Sequence, residues 1–126
     1  MCMVTEITKE DIEEHGVLIS TDDLIVVMFY GTKCGPCEAT MPHYEAVSGK
    51  FAEKTSKIKF YRIHAWDPTN NEYCRQTWGI NGVPHFKVLF NNSVMVDKQG
   101  GGDYATMFKM VHDGIDETFK QFVVRI

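Results

Sequence analysis

The longest apolar block in the chain is Leu24 to Tyr30, LIVVMFY, seven residues without a polar interruption. A run of that length, rich in branched and aromatic side chains, predicts a central strand buried on both faces. Before it, residues 3–7 (MVTEI) read as a short first strand. Thr8 can cap a helix from Lys9 to His15, which carries acids in its first turn and is ended by Gly16. After the central strand, Met41, Tyr44, Val47 and Phe51 recur at helical spacing, which predicts a helix from the cysteines at 34 and 37 to Lys54. Pro42 lies inside that helix and removes a donor, so a kink is expected there.

Ile58 to Ala65 reads as a further strand, WDPTN as a turn, and Asn70 to Trp78 as a short helix stopped by Gly79. A strand from Phe86 to Phe90, the turn NNS and a return strand from Val94 to Lys98 predict a hairpin. Asp103 can cap a last helix whose inner face holds Tyr104, Met107, Phe108, Val111 and Ile115. Gly114 is a candidate break or end, and Phe119 and Phe122 are candidates to continue the stripe. The order βαβαβαββα predicts an α/β domain with one mixed sheet and helices on both faces.

Composition narrows this picture. The chain has 126 residues, 44% hydrophobic and 24% charged, which suits a single globular domain over 1–126. A net charge of -4 gives no basic footprint for nucleic acid. No apolar stretch approaches the roughly 20 residues that cross a bilayer. The N-terminal residues, MCMVTEITKEDIEEHG, lack a basic and then apolar leader, so a reducing cytoplasm is the expected compartment. Four cysteines (Cys2, Cys34, Cys37 and Cys74) are too few and too scattered for a disulfide scaffold. In a reducing compartment, a close pair among them points to catalysis or metal binding.

The close pair is Cys34-Gly35-Pro36-Cys37. Thiol–disulfide exchange needs a thiolate to attack and a second thiol close by to finish. At a helix N-terminus, Cys37 would point back toward Cys34, and the unpaired first-turn N–H groups would favour a thiolate at Cys34. An unperturbed thiol is only about 3% ionised at neutral pH; a pKa lowered to about 7 makes that half, for about 2 kcal/mol. Pro36 is tolerated in the first turn, and Gly35 keeps the approach to the sulfur open. Two readings compete: half of a zinc or iron–sulfur site, and two ordinary core cysteines. A tetrahedral metal site needs two more ligands with spacing of their own, and the chain has no second C-x-x-C.

The chain resembles the thioredoxin family over nearly its whole length. The resemblance rests on the strand ending in Phe29 and Tyr30, on CGPC at 34–37, on Pro42 in the following helix, and on GVPHF with Pro84 before a strand. It implies a thioredoxin-like fold and a thiol–disulfide oxidoreductase, with Cys34 as nucleophile and Cys37 as the resolving thiol; the leading reading is a protein-disulfide reductase, and the resemblance leaves oxidant and isomerase roles open. It also implies a cis Val83-Pro84 peptide against the cysteines; cis bonds are largely confined to X-Pro. Substrate would pair with the backbone of Val83, in a groove lined by Tyr30, Pro84 and Gly101. The resemblance calls for no metal and no cofactor beyond the Cys34–Cys37 disulfide. It implies a monomer that acts on disulfide-containing proteins and is recharged by a thioredoxin reductase. A second reading is a thioredoxin-fold module or assembly subunit that holds a partner, with redox chemistry incidental.

The chain departs from the family pattern at its rim and beneath the pair. Lys33 stands where a tryptophan is usual, Met28 where a buried aspartate assists the resolving thiol, and His85 where threonine follows the cis proline. Lys33 is a candidate to lower the Cys34 pKa, or simply a solvated lysine. His85 is a candidate proton acceptor in place of the aspartate, or a strand residue that faces away from the sulfurs. Arg62 corresponds to the basic partner of the missing aspartate; it should turn to solvent or find another acid. Cys74 reads as a structural thiol, Cys2 as a bystander, His43 as solvated, and His64 and Trp66 as packing residues. QGGGD at 99–103 lacks the lysine and the spacing of a phosphate loop.

Overall fold

The computed structural model describes residues 3–19 and 22–122. Cys2 lies outside them. The strands are β1 (Val4–Ile7), β2 (Leu24–Tyr30), β3 (Ile58–His64), β4 (His85–Phe90) and β5 (Ser93–Gln99). The helices are α1 (Lys9–Glu13), α2 (Gly35–Ala52), α3 (Asn71–Trp78) and α4 (Tyr104–Gln121). The strands form one mixed sheet in the order β1-β3-β2-β4-β5. β1 and β2 run parallel to β3, β4 runs antiparallel to β2, and β5 antiparallel to β4.

The unbroken apolar run becomes the central strand because both of its faces are covered. Leu24, Val26 and Met28 face a core filled by Tyr44, Val47 and Phe51 of α2 and by Met107, Met110 and Val111 of α4. Ile25, Val27 and Phe29 face the other way, onto Ile12 of α1, Cys74 of α3 and Ile80. Among the described residues no helix is long and apolar enough to cross a membrane.

Several boundaries differ from the sequence expectation. α1 stops at Glu13 rather than His15: it has no base in its last turn, and Glu13 and Glu14 oppose the negative helix end. Its start is held as expected by a reciprocal pair, Thr8 accepting from the Asp11 N–H and the Asp11 carboxylate accepting from the Thr8 N–H. α2 ends at Ala52 and runs through Pro42. β3 ends at His64, and Asn70 is the cap of α3 rather than its first residue. β4 begins one residue early, at His85, and the turn to β5 places Asn91 and Asn92 at φ 50° and 65°, as a two-residue hairpin requires.

Gly114 neither breaks nor ends α4. A Cβ there would lie 2.6 Å from Val88 Cγ1, so glycine lets the helix approach β4, and its carbonyl accepts from the Thr118 hydroxyl at 2.7 Å. Tyr104 and Phe119 are both exposed, Phe119 by 51%, so neither belongs to the inner stripe. Phe122 does, against Phe90 at 5.2 Å between ring centroids.

Candidate active site

The end of β2 delivers the chain through Gly31 to the start of α2. A Cβ on Gly31 would lie 2.6 Å from the Trp66 ring and 3.2 Å from Val83, so the absence of a side chain here brings three segments together. Lys33 follows in the left-handed region at φ 51°, uncommon for a residue with a Cβ, and it is exposed. Cys34 is the N-cap of α2, and its sulfur accepts from the Cys37 N–H at 3.2 Å. A sulfur thus takes the place of a capping oxygen, at the positive end of an 18-residue helix. Cys37 is buried, Cys34 is half-buried, and the two are joined as a disulfide with Cα atoms 5.2 Å apart. Gly35 has nothing within 4 Å of a notional Cβ, so the approach over it is open.

The second wall is the Val83–Pro84 peptide, which is cis. The Val83 carbonyl oxygen lies 3.8 Å from the Cys34 sulfur. The third wall is the glycine run. A Cβ at Gly101 would lie 2.0 Å from Thr40 Oγ1 and 3.3 Å from Pro84, so only glycine allows this approach. Thr40 of α2 accepts from the Gly102 N–H at 3.1 Å, and Lys98 donates to the carbonyls of Gly100 and Gly101. Cys34, Cys37, Val83, Pro84 and Gly101 are therefore together. Thr40 completes the set and was not singled out from sequence, although a threonine on the buried face of α2 was a signal.

One row crosses the sheet beneath the pair: Glu6, Arg62, Met28, Phe86 and Lys98, each opposite the next. Met28 is fully buried and brings no proton acceptor. Arg62, directly opposite Met28, has both solvent and an acid: it is 33% exposed and bonds Glu6 of β1 at 2.7 Å. Burial alone would lower its pKa, but the Glu6 bond and charge outweigh it and raise it. Its Nη1 also reaches the Met41 sulfur at 3.5 Å. Glu6 accepts from the Tyr30 hydroxyl at 2.8 Å. Burial first, then the Glu6 bond, pushes the Tyr30 pKa up to about 12, so this phenol stays protonated as a donor. Glu6 was missed from sequence; it is exposed on an edge strand, and only its register opposite Arg62 shows its part.

His85 takes the second of its two expected readings, a strand residue that faces away from the sulfurs, and not that of proton acceptor. Its neighbour Phe86 faces the sulfurs with Met28, so His85 faces the opposite side, edge-on to Phe29 at 6.5 Å. Strand alternation puts the sheet between the imidazole and Cys37, and it cannot act there as the proton acceptor. Its ring bonds Gln99 and Asp97 instead. Cys74 is buried, and burial pushes its pKa up to about 11, which leaves an unreactive thiol. His43 is half-buried; His64 stacks on Tyr30 at 5.2 Å. Among the described residues, the groups able to hold a metal (Glu10, Glu14 and His15; His112, Asp113 and Asp116) include neither cysteine of the pair.

Comparison with known proteins adds a family. The family model described as Thioredoxin matches residues 4–113. Among curated relatives, a probable protein disulfide-isomerase A4 of Caenorhabditis elegans is 28% identical over 110 residues, covering 87% of this chain and 17% of that protein. Thioredoxin F1, chloroplastic, of Arabidopsis thaliana is 32% identical over 99 residues, 77% of this chain and 52% of that protein. The chain thus spans about half the length of that thioredoxin and less than a fifth of that isomerase. A crystal structure of thioredoxin f from spinach chloroplast, short form, superposes with a TM-score of 0.72 at 27% identity, covering 90% of this chain and 94% of that one.

Proposed function

The chain belongs to the thioredoxin family, and from that premise we propose that it is a thiol–disulfide oxidoreductase that reduces protein disulfides. The observation that carries this reading is the Cys34–Cys37 pair at the start of α2, 3.8 Å from the Val83 carbonyl. In the reduced protein, the Cys34 thiolate attacks one sulfur of a substrate disulfide. That bond breaks, the other substrate sulfur leaves as a thiolate, and Cys34 is left in a mixed disulfide. Cys37 then gives up its proton and attacks the Cys34 sulfur. The substrate departs with both sulfurs reduced, and the two electrons it gained leave the pair oxidised. An extended substrate segment pairs with the backbone of Val83 beside Pro84 and Gly101. A thioredoxin reductase returns two electrons to a monomer working in a reducing compartment such as the cytoplasm.

The test is reduction of a protein disulfide with dithiothreitol as electron source. Cys34→Ser abolishes the activity, and Cys37→Ser accumulates mixed disulfides visible on a non-reducing gel. An unchanged rate in Cys34→Ser would end this reading. Met28 favours one alternative, because a buried methionine offers no base for the resolving step: the groove would then hold a partner protein with little turnover. A partner pulled down equally well by the variant lacking both cysteines would favour that alternative.

A further inference from the structure

We propose that Gln99 is a positioning residue for substrate binding: from behind the groove it holds the segment 82–84 in place, and His85 orients its amide. The proposal rests on reading Val83 as the substrate-pairing edge. Gln99 is the last residue of β5. Its Nε2 donates to the Pro84 carbonyl at 3.4 Å, beside the Gly100 N–H, which donates to the same oxygen at 2.9 Å. A Cβ at Gly82 would lie 3.1 Å from the same Nε2. The amide therefore spans the back of Val83, touching the residue on each side of it. The other end of the amide, Oε1, lies 2.9 Å from His85 Nδ1. His85 Nε2 meets the Asp97 carboxylate, and the same oxygen accepts from Lys87 at 3.2 Å.

The donors and acceptors fix one another. The Pro84 carbonyl can only accept, so the NH2 of Gln99 faces it and Oε1 faces His85. His85 Nδ1 must then carry a hydrogen to make its bond. Nε2 faces a carboxylate, which also only accepts, so it must carry one too. Both bonds form together only on a ring protonated at both nitrogens. The charged groups facing that ring are Asp97 from β5 and Lys87 from β4; β2 presents only the Phe29 ring. Without the Gln99 amide, the segment 82–84 loses its hold from behind. The sulfurs, on the other side of the sheet, are untouched. The consequence falls on substrates that pair with the Val83 backbone and not on small disulfides that meet only the sulfurs.

Two variants test this, and Gln99 is exposed enough to be replaced without disturbing the core. Gln99→Glu keeps an acceptor for His85 but has no donor for Pro84; Gln99→Met keeps the length and loses both. Each should raise KM for a protein disulfide about 3–8-fold, the effect of one partly exposed hydrogen bond, with kcat unchanged. The rate with dithionitrobenzoate, a small aromatic disulfide, should stay at the wild-type value. Unchanged KM in both variants, or equal losses on both substrates, would overturn the proposal. A wild-type chain that reduces neither disulfide would instead overturn the proposed oxidoreductase function.

Discussion

Met28 sits fully buried under the cysteine pair, opposite an arginine already bonded to Glu6. That arrangement leaves the resolving thiol without a carboxylate from β2. Met28→Asp should therefore speed the second step, measured as release of the substrate thiol in single turnover, by about tenfold or more. It should also cost about 2–4 kcal/mol in urea unfolding, since a buried carboxylate needs a partner and Arg62 would have to leave Glu6 for it. An unchanged resolving rate would show that proton removal does not limit this step. Individual residues were unevenly legible from sequence. Cys34, Cys37 and Pro84 stood out because their chemistry is local: a three-residue spacing and an X-Pro bond. Glu6, Thr40 and Gln99 did not, because each matters through a partner more than 14 positions away, and only the tertiary fold brings those partners together. His85 depended on which way one strand faced, and the sequence pattern of β4, buried throughout, carries no alternation to decide it.

At the scale of elements, α4 shows packing overriding propensity. Gly114 lies mid-helix, where alanine would ordinarily add about 1 kcal/mol. Its Cβ would instead lie 2.6 Å from Val88 Cγ1, on a β-branched side chain with little freedom to move. Gly114→Ala should destabilise the protein by about 1–2 kcal/mol in chemical denaturation, the overpacking cost less the propensity gain. A stabilised variant would contradict this account of how α4 seats on β4. The order and type of the nine elements among the described residues were legible because the longer ones have sustained apolar periods and the shorter ones local signals: Thr8, Asp103, Gly79 and the Asn91-Asn92 turn. The ends were less so. Where a helix stops depends on end charges, as at Glu13, and whether an apolar residue is buried depends on what lies opposite, as at Phe119.

For the whole molecule, the sheet and its two cores serve to bring three separate loops to one end: the turn after β2, the cis peptide before β4 and the glycine run after β5. The groove exists only once all three are docked; its floor and its walls at Val83, Pro84 and Gly101 were legible through the motifs, while Thr40, which holds the glycine wall, was not. The direction of the chemistry follows from how strongly this end stabilises a thiolate, because a well-stabilised thiolate makes the oxidised pair a stronger oxidant. Here the positive end of α2 and one exposed lysine, Lys33, are what the structure sets near Cys34. The proposed reductase function requires that stabilisation to be modest. The most direct measurement is the reduction potential of the Cys34–Cys37 pair, by equilibration with glutathione or dithiothreitol. The account predicts a value near about −270 mV, in the range of reducing thioredoxins; a value between about −180 and −120 mV, where isomerases and oxidants lie, would contradict it.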